Sequence, residues 1–121
     1  MTLQFAPGGI TVHTGDTVVF DHADSTHDPH SVSVVTAGQL PRSADECPVC
    51  QTVQKAHFPH GQNGPALPVV NVGKPGFDRP GDSIVWMSGR VSVKVTAPAG
   101  TVLHYFCAIH PWMQGTIRVV K

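Results

Sequence analysis

The sequence predicts an all-β fold, a two-sheet sandwich with one long insertion in its middle, and three observations carry that expectation. Eleven prolines and twelve glycines fall among 121 residues, and the strong helix formers Leu, Ala, Glu and Lys are sparse, a composition that favours short strands joined by turns. Several short runs alternate apolar with polar residues at period two, and Gly-, Pro- and Asp-bearing turns separate them. The alternation stops between about residues 36 and 68, which marks the insertion as roughly thirty residues of loop. A chain of this length fits a single domain, 1–121, and can bury about two-thirds of its unfolded surface.

In order, Ile10-Thr11-Val12-His13 alternates and reads as a strand, Thr14-Gly15-Asp16-Thr17 as a turn, and Val18-Val19-Phe20 as the next strand. Asp21 to Pro29 is a polar loop, after which His30-Ser31-Val32-Ser33-Val34-Val35 resumes a strand. Within the insertion a short helix is expected near Thr52 to Ala56. Val69-Val70-Asn71-Val72 reads as a strand, and Pro80-Gly81-Asp82-Ser83 as a turn into Ile84-Val85-Trp86. Val91-Ser92-Val93-Lys94-Val95 alternates cleanly. The turn Pro98-Ala99-Gly100-Thr101 leads to a strand on which Leu103, Tyr105 and Cys107 share one face. That face is the expected core face, so it delivers Cys107 inward. Thr116-Ile117-Arg118-Val119-Val120 closes the chain.

Charge and hydropathy exclude several functions. Eight basic residues balance eight acidic ones, so nothing in the net charge favours nucleic acid or an anionic membrane. No apolar run approaches the roughly 20 residues that span a bilayer, and Met1-Thr2-Leu3-Gln4 lacks the regions of a signal peptide. The expectation is a chain whose leader has been removed or a soluble domain of an anchored protein.

The chemistry concentrates in Tyr105-Phe106-Cys107-Ala108-Ile109-His110-Pro111-Trp112-Met113. A thiolate, an imidazole and a thioether recur at i, i+3 and i+6, close enough for one loop to wrap them around a single ion. Soft sulfur with imidazole and a weak thioether suits copper, and two imidazoles with a thiolate plane and a long axial Met form the blue-copper arrangement. The missing imidazole is assigned to His30, at the mouth of its strand. His27 is the rival.

The Pro29-His30-Ser31-Val32 segment and the Cys-x2-His-x2-Met loop together resemble the cupredoxins, and the loop spacing is similar to the short amicyanin kind. Plastocyanin carries a longer loop, whose Met position is Gly115 here. The resemblance runs from about Ile10 to Val120 and fails across the insertion. It implies a Greek-key sandwich with a type 1 copper held by His30, Cys107, His110 and Met113. It further implies electron transfer to redox partner proteins through an apolar patch around His110, formed by Ile109, Pro111 and Trp112. The expected location is periplasmic or extracellular. Relatives often carry Asn after the first His, whose amide ties the two ligand loops together. Here Ser31 and Ala108 occupy the paired positions, and neither side chain is expected to reproduce that tether fully.

Two other function classes are weighed. An electron-accepting domain of a larger copper oxidoreductase needs further converging histidines. His13, His22, His27, His57, His60 and His104 supply the number, but no His-x-His pair appears. Copper sequestration or transfer favours a Met- or Cys-rich site, and only three Met are present. A dinuclear centre needs a second Cys where Pro111 stands.

Within the insertion, Cys47, Cys50, His57 and His60 supply two thiolates and two imidazoles, a set that suits a tetrahedral zinc site. The alternative is a Cys47–Cys50 disulfide, favoured by an oxidising compartment. The βαβ context of a thioredoxin-like pair is missing, and Gln51 after Cys50 excludes haem attachment. A structureless loop this long is unusual inside a domain, so something is expected to pin it.

Overall fold

The computed structural model describes residues 8–22, 30–41, 46–59, 61, 67–73, 75–86, 89–109 and 113–121. Among the described residues eight strands form two sheets, β1 (Gly9–His13), β2 (Thr17–His22), β3 (His30–Val35), β4 (Val69–Val70), β5 (Ser83–Trp86), β6 (Gly89–Lys94), β7 (Val102–Phe106) and β8 (Gln114–Val120). The larger sheet has the order β1-β8-β7-β3-β5-β4, and β2 pairs with β6 in the smaller one. β1 runs parallel to β8, and the other neighbours are antiparallel. The sheets meet over Val18, Phe20 and Val93 on one side and Val32, Val34, Ile84, Leu103, Tyr105, Ile117 and Val119 on the other. Burying each such side chain contributes about 1.5–3 kcal/mol relative to leaving it exposed.

The turn expected at Thr14–Thr17 forms because Gly15 adopts a φ of 95°, a conformation that costs an L side chain strain. His13 N–H donates to the Asp16 carboxylate at 2.8 Å and closes it. The core face expected for β7 is present: Leu103, Tyr105 and Cys107 are all buried. Tyr105 meets Phe20 edge to face at a centroid distance of 5.7 Å, and burial pushes its phenol up to about 12. Gly115 lies opposite Tyr105 in the β7–β8 ladder. A Cβ there would collide with the Tyr105 hydroxyl, so the absence of a side chain makes room for that ring.

The insertion departs from expectation. It contains a 3-10 turn, Ala37–Gln39, and an α-helix, α1 (Pro48–His57), that begins four residues before the helix expected at Thr52. Cys47 takes the N-cap and Pro48 the first turn, where a missing N–H costs nothing. Val49, Cys50, Val53 and His57 recur at helical spacing on one face, with Cys50 and His57 buried. This face covers a second apolar cluster of Val35, Cys50, Phe106 and Ala108, with Leu40, Cys47, Val49 and Val53 packed around it. β3 is consequently buried at all six positions. Its Ser31 and Ser33, which by alternation with Val32 and Val34 belong on a polar face, are at most 1% exposed. The expected Val69–Val72 strand is shorter, because Val72 N–H turns to Asp82 Oδ1 at 2.8 Å.

Candidate metal centre

The antiparallel pairing of β3 with β7 sets Ser33 opposite Phe106. From that register the first residue of β3, His30, and the residue after β7, Cys107, fall at the same end of the sheet. Both are buried, at 3% and 0% exposed, and Cys107 Sγ lies 3.9 Å from His30 Nδ1. One metal–sulfur bond of about 2.3 Å and one metal–imidazole bond of about 2.0 Å sum to more than that separation, so both donors can reach one ion. Ser31 N–H points at Cys107 Sγ at 3.3 Å, a donor that stabilises a thiolate. Trp86 stands beside the His30 ring at 6.1 Å between centroids and is itself 6.3 Å from Phe20. The centre therefore has an apolar wall on its core side.

Met113 is also buried. Its carbonyl accepts Cys107 N–H at 2.9 Å, and Phe106 pairs with Gln114 just behind, so the loop from Cys107 to Met113 is closed at its base. Ile109 is half-buried. His110, Pro111 and Trp112, the fourth expected ligand and the core of the expected docking patch, lie outside the described residues, as do His27 and His60. Among the described residues no three His, Cys, Asp or Glu side chains gather into a metal-binding group. The donors that come together are one imidazole and one sulfur, with a buried methionine at the foot of the same loop. This donor chemistry fits copper.

Of the two readings for the insertion cysteines, the structure carries the disulfide. Cys47 and Cys50 are joined, with Cα atoms 5.3 Å apart, and Cys107 stays outside that bond. Sulfurs bonded to each other are not the two thiolates a zinc site requires. His57, the third member of that expected set, has turned inward. Its Nδ1 faces the Leu67 carbonyl and its Nε2 lies 2.7 Å from Ser83 Oγ. Burial lowers its pKa below the usual imidazole value, a shift the Leu67 carbonyl partly opposes.

The tether that the side chains at 31 and 108 were not expected to reproduce fully is present in another form. Ala108 N–H donates to Ser31 Oγ at 2.8 Å. The donor is main chain, so the identity of the side chain at 108 does not matter. Gln54, on α1, donates to the Ala108 carbonyl at 3.2 Å, and Gln114 donates to the Pro41 carbonyl at 3.0 Å. Sequence reading missed Gln54 and Gln114, since polar residues on a helix surface and at a strand end carry no signal of such contacts.

The fold is that of the cupredoxins. A purple cupredoxin from Nitrosopumilus maritimus superposes with a TM-score of 0.51 at 20% identity, over 96% of this chain and 81% of that one. Dithionite-reduced auracyanin from Roseiflexus castenholzii superposes with a TM-score of 0.51 at 20% identity, over 98% of this chain and 88% of that one. The likeness is one of fold. No protein-family model and no curated protein sequence matches the chain.

Proposed function

We propose that this chain is a type 1 copper electron-transfer protein, holding one copper through His30, Cys107, His110 and Met113 and passing electrons between partner proteins. The observation that carries the reading is the approach of His30 Nδ1 to Cys107 Sγ, 3.9 Å apart and both buried, at the end of a cupredoxin-like sandwich. Bound copper would supply one-electron chemistry, in a mixed soft and imidazole donor set that suits both of its oxidation states. The protein's part is to hold the donors still and keep water out. The strand ends fix His30 and Cys107, the Ser31 N–H bears on the sulfur, and Trp86 shields the imidazole.

Met113 is assigned the weak axial position, and His110 the second imidazole. Ile109, Pro111 and Trp112 then form the apolar surface through which a redox partner docks. The Cys47–Cys50 disulfide supports an extracytoplasmic location, because such bonds persist where the compartment is oxidising. Among the described residues no helix is long and apolar enough to cross a membrane.

The copper-loaded protein tests the reading by visible absorption, EPR and metal content. One copper per chain and an intense thiolate-to-copper band are expected. Cys107→Ser abolishes that band and Cys47→Ser leaves it largely intact. A blue band that survived Cys107→Ser would overturn the assignment.

A further inference from the structure

A line of buried polar groups crosses the outer face of the larger sheet, from the ligand loop to the end of α1. Ser31 Oγ lies 2.9 Å from Ser33 Oγ, and Ser33 Oγ lies 2.7 Å from Ser83 Oγ on the neighbouring strand. Ser83 Oγ in turn lies 2.7 Å from His57 Nε2. One end of the line is the Ala108 N–H, next to Cys107. The other is the Leu67 carbonyl, at His57 Nδ1. Ser31, Ser33, Ser83 and His57 are each no more than 3% exposed.

The direction of every bond in this line follows from one atom. A carbonyl oxygen only accepts, so His57 Nδ1 carries the proton that faces Leu67. In the neutral ring Nε2 is then an acceptor, and Ser83 must donate to it. Having spent its proton there, Ser83 accepts from Ser33, and Ser33 for the same reason accepts from Ser31. Ser31 Oγ, donating to Ser33, presents its lone pairs to the Ala108 N–H. Each hydroxyl donates once along the line and accepts once from the group before it.

Resting on the copper reading above, we infer that α1 is a brace for the metal-ligand loop and that His57 is its positioning residue. It acts through Ser83, Ser33 and Ser31 on the main chain at Ala108. The brace grips Ala108 through the peptide groups on either side of its Cα, since Ser31 receives its N–H and Gln54 of the same helix donates to its carbonyl. The Cys47–Cys50 disulfide fixes the first turn of the helix and His57 forms its last residue, so both ends of α1 are anchored. The backbone that carries the Cys107 sulfur is thereby held before any metal arrives. A site whose ligands are held in place by buried hydrogen-bonded partners has less to rearrange on a change of charge.

Amide hydrogen exchange of the full chain, metal-free and loaded with Cu(I), tests this, together with the reduction potential of the copper-loaded form. His57→Leu removes the group that sets the direction of the line, and Ser33→Ala cuts it at a point that touches neither the helix nor the ligands. Both are expected to speed exchange of the Ala108 N–H by about tenfold, the scale of losing one buried hydrogen bond, and to shift the potential. His57→Gln offers an amide oxygen to Ser83 and an amide N–H to Leu67, and it is expected to restore both readouts. If Ser33→Ala leaves Ala108 exchange and the potential at wild-type values, the line does not act on the loop and the inference fails. It fails equally if His57→Gln behaves as His57→Leu does, because the role would then be packing alone. A copper-loaded wild type without the blue band would defeat the proposed function, while the exchange of the metal-free chain would still decide the brace.

Discussion

The two faces of the six-stranded sheet are covered in different ways. Toward β2 and β6, Val32, Val34, Ile84, Leu103, Tyr105 and Ile117 meet other apolar side chains, in a cluster that runs through the whole sandwich. Toward α1 there is a small apolar patch around Val35 and Phe106, and beside it the line of Ser31, Ser33, Ser83 and His57. The first face is non-directional: its stability scales with area, and neighbours can repack around a change. The second depends on each group's donor and acceptor being matched. The difference teaches that one sheet can take its bulk stability from one side and the positioning of a site from the other.

Three measurements can break or sharpen that contrast. The largest effect is expected from Phe77→Ala, in the main core and 1% exposed. It should cost about 3–5 kcal/mol in denaturant unfolding, and Ala108 exchange should quicken no more than that of the amides of β7. Ser83→Ala comes next. It leaves His57 Nε2 without its donor and Ser33 without its acceptor, a loss of about 1–3 kcal/mol. It should accelerate Ala108 exchange although Ser83 lies on the far side of β3. Equal acceleration by Phe77→Ala would erase the distinction between the faces.

The smallest effect is one of pH. Burial holds the folded-state pKa of His57 below the 6.5 of an ordinary imidazole. In the unfolded chain the same group takes up a proton as the pH falls through about 6.5, which favours unfolding. The contribution of His57 is therefore undiminished above that range, declines as the pH drops below it, and levels off once the folded protein binds the proton too. His57→Gln should remove this part of the acid slope in urea unfolding measured between pH 7.5 and 5. An unchanged slope would show that the ring is not held neutral by the fold.

The inner face was legible in the sequence because period-two alternation and turn residues report directly on a half-buried strand. β3 was expected at His30–Val35 and forms there, and Leu103, Tyr105 and Cys107 point inward as their parity requires. The His30 and Cys107 pairing was legible for a related reason, since each sits at a strand end. The outer face was not legible. By alternation Ser31 and Ser33 read as residues of a polar face, and only the covering segment makes them buried. Only the Thr52 to Ala56 part of that segment reads as helix, because Pro48 and two cysteines interrupt the pattern before it, although a proline at the first helical turn is also a start signal. Nor does a sequence display its main-chain donors, so Ala108 looked like a missing partner when its N–H was the partner.

The single direction of the polar line bears on how this protein can change over generations. Replacing any one of Ser31, Ser33 or Ser83 with alanine strands a buried donor on one side and a buried acceptor on the other, whereas replacing all members with apolar residues of similar shape strands far fewer. Threonine keeps the hydroxyl and is the one mild step open at the serines, and glutamine is the corresponding step at His57. Ser31, Ser33, Ser83 and His57 should therefore be inherited as a block. Descendants that lose the α1 segment would be expected to have lost the serines with it, and a chain that retained the serines beneath an altered insertion would need water or a new side chain in the place of the imidazole.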